Sequence, residues 1–316
     1  MAHLFGPVPS RRLGRSLGVD LVPRKTCPYD CIYCEVGPTS HQTLKRREYH
    51  ADAIIRELAD YLAGPARTLD FITLAGSGEP TLNLGLGRII EAIQEMTDTP
   101  VAVLTNGALL GLPEVRRELA PAEVVLPSLD AAREETFQAI NRPLQGFPLA
   151  KLEEGLEAFR REYSGQIWLE VMLLRGFNDL EPELTALRRA IRKIAPDKVQ
   201  LNTAVRPVVE DSALPLSPEE MAAAAAFLGE GVEVIASFSQ APVTPEPRGD
   251  AAFLEMLSRR PMTAPDLARA LGLPLPQVRQ RLRHLCESGL ISYNLYQDQG
   301  FYRRQVQETC NLRPQP

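Results

Sequence analysis

Cysteine is scarce in this chain, with five among 316 residues, and a chain of this length buries enough core to need no disulfide staple. No second C-x₂-C pair exists, so the paired knuckles typical of structural zinc are missing. No apolar run is long enough to cross a bilayer as a helix. The start, Met1-Ala2-His3-Leu4-Phe5-Gly6-Pro7, has no charged segment ahead of an apolar one, so a secretory signal is not expected and a cytoplasmic setting is. Lysine is absent from residue 248 onward, where ten arginines face six acidic residues. That stretch carries +4, so residues 1–247 carry −9 of the net −5. A basic end on an acidic body suits an anionic partner, or is a solvated arginine face.

What the chain does hold is a concentration of its few cysteines. Cys27-Pro28-Tyr29-Asp30-Cys31-Ile32-Tyr33-Cys34 is a C-x₃-C-x₂-C loop. One loop of this spacing supplies three thiolates from one side. On a cubane of four irons, three thiolates leave one iron open to a substrate or cofactor. The competing reading is a zinc site completed by His41 or His50. Pro28 has no amide proton, but residues 29–33 keep theirs and can point them at cluster sulfurs.

Along the chain, residues 4–15 lack periodicity and read as an irregular lead-in with three arginines. Residues 16–22 form a first strand, and the cysteine loop follows directly. Helical spacing of Ile54, Ile55, Leu58, Tyr61 and Leu62 predicts a helix over 50–63, stopped by Gly64-Pro65. A strand over 69–75 runs into Gly76-Ser77-Gly78-Glu79-Pro80, where glycine lets the backbone approach a ligand. A helix (84–96) precedes a strand (101–104) ending in Thr105-Asn106-Gly107. A helix (113–119) precedes a strand (123–127) ending in Ser128-Leu129-Asp130. The connection from Phe137 to Pro143 places Arg142 where it can hold a carboxylate or phosphate. A helix within 147–163, a strand (166–174), a helix (180–194) and a strand (198–201) lead to Asn202, Thr203 and Arg206. A helix over 217–228, opened by Ser217 and Pro218, and a strand-like run over 232–238 complete the series.

Six β-then-α repeats argue an α/β fold with a parallel sheet and crossover helices. In such folds the chemistry sits at the C-terminal ends of strands. Asn106, Ser128, Asp130, Asn202, Thr203 and Arg206 all fall there. Each also has a structural reading: Asn106-Gly107 as a turn, Asp130 as a helix cap, Met172 as core.

The expected domains are a barrel over 1–238, a proline-rich linker over 239–249, a second domain over 250–305 and a tail over 306–316. The second domain reads as helix (251–259), helix (262–271), turn, helix (276–288) and hairpin (290–302), which is a winged helix. Val278, Leu282 and Leu285 face its core, with Gln277, Arg279, Gln280, Arg281 and Arg283 outward. Such domains bind nucleic acid, peptides or proteins, or brace a neighbouring domain. Cys286 reads as a small buried hydrophobe.

The cysteine loop, the aromatic before its last cysteine and the Gly78-Glu79-Pro80 turn one strand later resemble the radical S-adenosylmethionine (SAM) superfamily. Ser77 stands where that family's Gly-Gly-Glu-Pro turn has its first glycine. The resemblance implies a partial (β/α)₆ TIM-type barrel, with Cys27, Cys31 and Cys34 on a [4Fe–4S] cluster. It implies a SAM pocket drawn from Tyr33, Gly76, Ser77, Gly78, Glu79, Pro80, Asn106, Ser128, Asp130, Arg142, Met172 and Asn202. Tyr33 would lie near adenine or serve packing. Reductive cleavage of SAM to a 5′-deoxyadenosyl radical, fed by reduced ferredoxin or flavodoxin, would then abstract hydrogen from a substrate such as tRNA or another nucleic acid.

The lead-in and loop look most like a bacterial branch grouped with wyosine tRNA-base synthases. The upstream cysteines of those synthases are absent here, which puts tricyclic-base formation in doubt. Two other readings stand beside this one. One is a glycyl-radical activating enzyme whose target is a protein. The other is a non-catalytic iron–sulfur DNA-binding sensor, against which the retained Gly78 and Glu79 argue.

Overall fold

A computed structural model describes residues 3–65, 68–236, 249–297 and 299–305. The chain divides into two units, Met1–Val243 and Thr244–Pro316. The strands of the first are β1 (Leu4–Ser10), β2 (Gly14–Val19), the two-residue β3 (Thr26–Cys27) and β4 (His41–Gln42), β5 (Phe71–Leu74), β6 (Val101–Thr105), β7 (Val124–Pro127), β8 (Gln166–Leu173), β9 (Lys198–Thr203) and β10 (Val232–Val234). Its helices are α1 (Ala51–Leu62), α2 (Leu86–Met96), α3 (Pro113–Leu119), α4 (Glu134–Asn141), α5 (Leu149–Glu162), α6 (Glu181–Ile194) and α7 (Pro218–Leu228).

The sheet runs β1-β2-β5-β6-β7-β8-β9-β10. Every neighbouring pair from β2 onward is parallel, and only β1 is antiparallel. Strands covered on both faces need near-continuous apolar runs. Val101, Ala102 and Val103 of β6 are fully buried accordingly. The outer face meets amphipathic helices: α2 buries Leu86, Ile89, Ile90 and Ile93, and α6 buries Leu184, Leu187, Ile191 and Ile194. Each such side chain contributes about 1.5–3 kcal/mol. Ser217 and Glu220 form a reciprocal capping box at the start of α7.

The sheet is curled. In the turn between β1 and β2, Arg11 reaches Asn202 on β9 at 3.0 Å, and Arg12 pairs with Glu170 on β8. Laid flat, β2 and β9 would stand five strand spacings apart, about 24 Å, far beyond an arginine's reach. Leu13, from the same turn, packs on the concave face with Ala102, Val124, Leu126 and Trp168. Six β/α repeats wrapped into an open, partial barrel follow from these contacts.

Three elements differ from the sequence reading. Residues 4–10 are not irregular: they form β1, an antiparallel edge strand whose Pro7 and Pro9 hide its period. Residues 134–141 are a helix, α4, too short for its pattern to stand out. In the second unit, Met262 and Thr263 form a short strand rather than opening a helix.

That second unit comprises α8 (Asp250–Arg259), β11 (Met262–Thr263), α9 (Ala264–Leu271), α10 (Leu275–Glu287), β12 (Ile291–Tyr296) and β13 (Gln299–Arg304). Its strands order as β11-β13-β12, all antiparallel. Thr263 and Asp266 cap α9 reciprocally, and Gly272 ends it in the left-handed conformation. Val278, Leu282 and Leu285 are buried, while Gln277, Arg279, Gln280, Arg281 and Arg283 are exposed. Cys286 is only half-buried. The expected linker, apart from Gly249, and the expected tail lie outside the described residues.

Candidate functional site

The cysteine loop leaves β2 and is laced to the chain at both ends. β3 pairs with β4 through Thr26–His41 and Cys27–Gln42. On the other side, Asp30 and Ile32 donate their amides to the carbonyls of Asn141 and Ile140, at 3.1 and 3.0 Å, and Leu144 donates to Pro28 at 2.8 Å. β4 holds one side of the loop, and the end of α4 with the segment after it holds the other. Tyr29 stands edge-on to Phe137 and Phe147, with ring centroids at 5.5 and 5.9 Å. Two of the loop amides expected to face sulfur are thus used by the protein, while the Tyr29 amide does reach Cys27.

Each cysteine sulfur has an N–H donor from a different segment. Lys25 Nζ reaches Cys34 Sγ at 3.0 Å, Asn106 Nδ2 reaches Cys27 Sγ at 3.3 Å, and Asn141 Nδ2 lies 3.6 Å from Cys31 Sγ. Such donors suit thiolates and cluster sulfurs. Burial, with the Glu79 charge adding to it, pushes the Cys27 thiol up to about 12, and burial raises Cys31 as well. A bound metal reverses that preference, because its own charge favours the thiolate. Among the described residues no three His, Cys, Asp or Glu side chains converge as they would on a single ion. His41 and His50 are exposed. Three cysteines on one loop, each with its own N–H donor, fit a cluster that takes one thiolate on each of three irons.

The turn after β5 packs directly on this loop. A Cβ on Gly78 would lie 2.4 Å from the Thr26 carbonyl oxygen, and one on Gly76 would lie 2.6 Å from the Asp20 carboxylate. Ser77 is buried, with its hydroxyl donated to Asp20. Glu79 is also buried. Its carboxylate accepts the Thr81 amide and hydroxyl (3.1 and 2.6 Å), the Thr105 hydroxyl (2.7 Å) and the Asn106 amide (2.8 Å). Burial raises its pKa against the pull of those bonds. Glu79 thereby ties the ends of β5 and β6 together, and Pro80 opens the single 3₁₀ turn that follows.

Asp130 is a second hub. It accepts the Tyr33 hydroxyl, Asn141 Nδ2 at 2.7 Å and the Met172 amide at 2.9 Å. Burial pushes its carboxyl up to about 6 although these bonds oppose the rise. It is not a helix cap. Ser128, half-buried, bridges to Glu170 on β8. Met172 packs with Ile32, Ile140 and Leu174 beside Tyr33. Arg142 ends α4 with its carbonyl accepting the Asp30 amide of the loop at 3.1 Å, while its exposed guanidinium pairs with Glu210 at 2.8 Å.

A polar network runs from the loop into the concave face. Glu35, next to Cys34, pairs with buried Arg206 at 3.0 Å, and Arg11 stands 3.9 Å from it. Burial, then repulsion from Arg206 and Arg12, lowers Arg11 to about 10. Asn202 accepts from Arg11 and donates to Glu170 at 3.2 Å, while Thr203 turns its hydroxyl to the Leu173 carbonyl. Sequence reasoning passed over Asp20, Lys25, Glu35, Asn141 and Glu170. Their only early signal was proximity to a motif or position on a strand.

With the geometry in place, comparison with known proteins identifies the class. The Radical SAM superfamily profile matches residues 21–188, just over half the chain, and a helix-turn-helix domain profile matches residues 251–293. The chain belongs to the radical SAM superfamily. Within it the chain sits with the UPF0026 proteins: that of Synechocystis sp. is 34% identical over 278 residues, 86% of this chain and 94% of its own length. A Brachyspira hyodysenteriae protein named GTPase Obg is 39% identical over 92% of this chain, which spans only 43% of that protein's length. The present sequence has no Gly-Lys pair, which a phosphate-binding P-loop requires. A radical SAM methyltransferase from Sphaerobacter thermophilus shares the fold, with a TM-score of 0.55 at 20% identity over 69% of this chain and 65% of that one. Membership brings the superfamily's cofactors, a [4Fe–4S] cluster and SAM. No described helix is long and apolar enough to cross a membrane.

Proposed function

We propose that this chain is a radical SAM enzyme in which Cys27, Cys31 and Cys34 hold the cluster and leave one iron for SAM. When bound, the cluster supplies the electron that splits SAM to a 5′-deoxyadenosyl radical, which takes a hydrogen atom from the substrate. The observation that carries this reading is the set of three N–H donors, Lys25, Asn106 and Asn141, one on each cysteine sulfur. The Gly76–Pro80 turn, whose glycines let it pack closely on Asp20 and the Thr26 carbonyl, is the segment assigned to SAM. Tyr33, locked to Asp130, closes the pocket beside Met172. The electron donor is a reduced ferredoxin or flavodoxin.

The substrate is read as nucleic acid, delivered by the C-terminal unit. The exposed basic face of α10 favours this. Arg281 is paired with Asp250 at 2.6 Å, so Arg279 and Arg283 are the residues assigned to phosphate.

The test is anaerobic reconstitution with iron and sulfide, then dithionite and SAM. The wild type makes 5′-deoxyadenosine, and replacing Cys27, Cys31 or Cys34 by alanine abolishes it. Absence of 5′-deoxyadenosine from the wild type overturns the enzyme reading in favour of a sensor. Turnover with total cellular RNA yields a new nucleoside in nuclease digests. A new radical on a partner protein's glycine instead would favour the activase.

A further inference from the structure

Lys25 sits at the threshold of the cysteine loop. Its side chain is buried, with the residue 6% exposed, and its φ is +58°. A residue with a Cβ holds that left-handed conformation at a cost, and such outliers concentrate at functional sites. Glycine would adopt it without penalty. The backbone is fixed from both sides: the Lys25 amide donates to the Ser77 carbonyl at 2.7 Å, and its carbonyl accepts the His41 amide at 3.1 Å. The lysine is thus pinned between the glycine-rich turn and β4, and its side chain has one direction to go.

Its ammonium reaches Cys34 Sγ at 3.0 Å. Among the described residues it has no carboxylate within ion-pair distance. A buried cation without an anionic partner is strongly unfavourable. The anion that offsets this one is the Cys34 thiolate and whatever negative charge that thiolate shares with a bound cluster. The other two donors, Asn106 and Asn141, are neutral amides. The charged donor therefore bonds one ligand of the three, Cys34.

We propose that Lys25 is a positioning residue that sets the redox potential of the cluster through Cys34, raising it so that a biological donor can reduce it. This rests on the cluster assignment made above. Reduction adds one negative charge to the cluster, and a cation in contact with a ligand sulfur stabilises the reduced state more than the oxidised one. An N–H bond with a full charge exceeds the neutral amide bonds to the other cysteines.

The test is a redox titration, followed by electron paramagnetic resonance, of reconstituted full-length protein carrying Lys25→Met, Lys25→Gln or Lys25→Arg. Iron and sulfide content are measured for each. Both neutral variants should show about tenfold less reduced cluster at a fixed potential, a fall of about 59 mV for one electron. Lys25→Arg should stay close to the wild type. Unchanged potentials in the neutral variants overturn the proposal while leaving the cluster assignment intact. An equal fall in all three variants overturns it too, since packing rather than charge would be at work. If neither neutral variant takes up iron but Lys25→Arg does, the charge serves assembly and the redox claim falls. If the wild type assembles no cluster, this inference and the functional reading fall together.

Discussion

Ser77 gives both of its donors to Asp20: the hydroxyl at 2.7 Å to one carboxylate oxygen and the amide at 3.1 Å to the other. The turn after β5 is thereby fastened to the chain just past β2, where the cysteine loop begins. Gly76 is what lets the carboxylate approach, with φ at +140° and no Cβ in its way. The Ser77 hydroxyl thus locks the turn.

Two substitutions separate the parts of this lock. Gly76→Ala forces a side chain into a left-handed conformation and against Asp20, and should cost about 2–3 kcal/mol. Ser77→Ala removes one donor from a buried carboxylate and should cost about 1 kcal/mol. Urea unfolding of the cluster-free protein reads both, and Ser77→Ala costing as much as Gly76→Ala would contradict the assignment.

Arg12 and Glu170 face each other on the concave side with side chains 15% and 14% exposed. Arg12→Ala strands the carboxylate, which retains its bond from Asn202, and should cost about 3 kcal/mol. Replacing both partners, as in Arg12→Met with Glu170→Leu, should recover most of the loss. The double-mutant cycle is the measurement. Additive losses would mean that the two side chains act independently.

Glu57 carries an acid dependence of known sign. Burial raises its pKa, but bonds from the His3 amide and ring and from the Leu4 amide outweigh this and hold it below its ordinary 4.5. A depressed folded-state value means stability that is fully present above the unfolded-state pKa and is lost as pH falls through the folded one. The stability gap between wild type and Glu57→Gln should therefore close as pH falls below the ordinary carboxylate range. Unfolding curves across that range check it. A gap that widens in acid would reverse the sign.

The order of strands and helices is legible because each parallel strand is a short apolar run and each helix repeats its apolar face. The cysteine loop and the glycine turn are legible because their spacing is local. What carries the site is mostly not local. Asp20 meets Ser77 across 57 positions, and Asn141 meets Cys31 across 110. No window of sequence contains such a pair. Glu79 was legible as a motif residue, yet its bonds from Thr105 and Asn106 exist only once β5 and β6 are neighbours. β1 escaped notice because an edge strand tolerates proline, and α4 because eight residues give barely two turns. Lys25 carried no pattern at all, and only its left-handed backbone and its distance to Cys34 mark it.

The nucleic-acid reading of the C-terminal unit makes a quantitative claim about salt. Val278, Leu282 and Leu285 form the buried face of α10, and Arg279 and Arg283, one turn apart on a flank of the helix, are both exposed. A phosphate contact made by an arginine releases counterions and contributes about −0.9 to the slope of log affinity against log salt on a duplex, and about −0.7 on a single strand. Replacing both arginines by glutamine should weaken binding of a fluorescent RNA and make the slope shallower by about 1.4–1.8. Arg281→Gln should change it less, because Asp250 already engages that guanidinium. Fluorescence anisotropy across a salt series gives all of these slopes. If the double variant keeps the wild-type slope, α10 does not contact phosphate, and its arginine face is solvated surface or a protein-docking face.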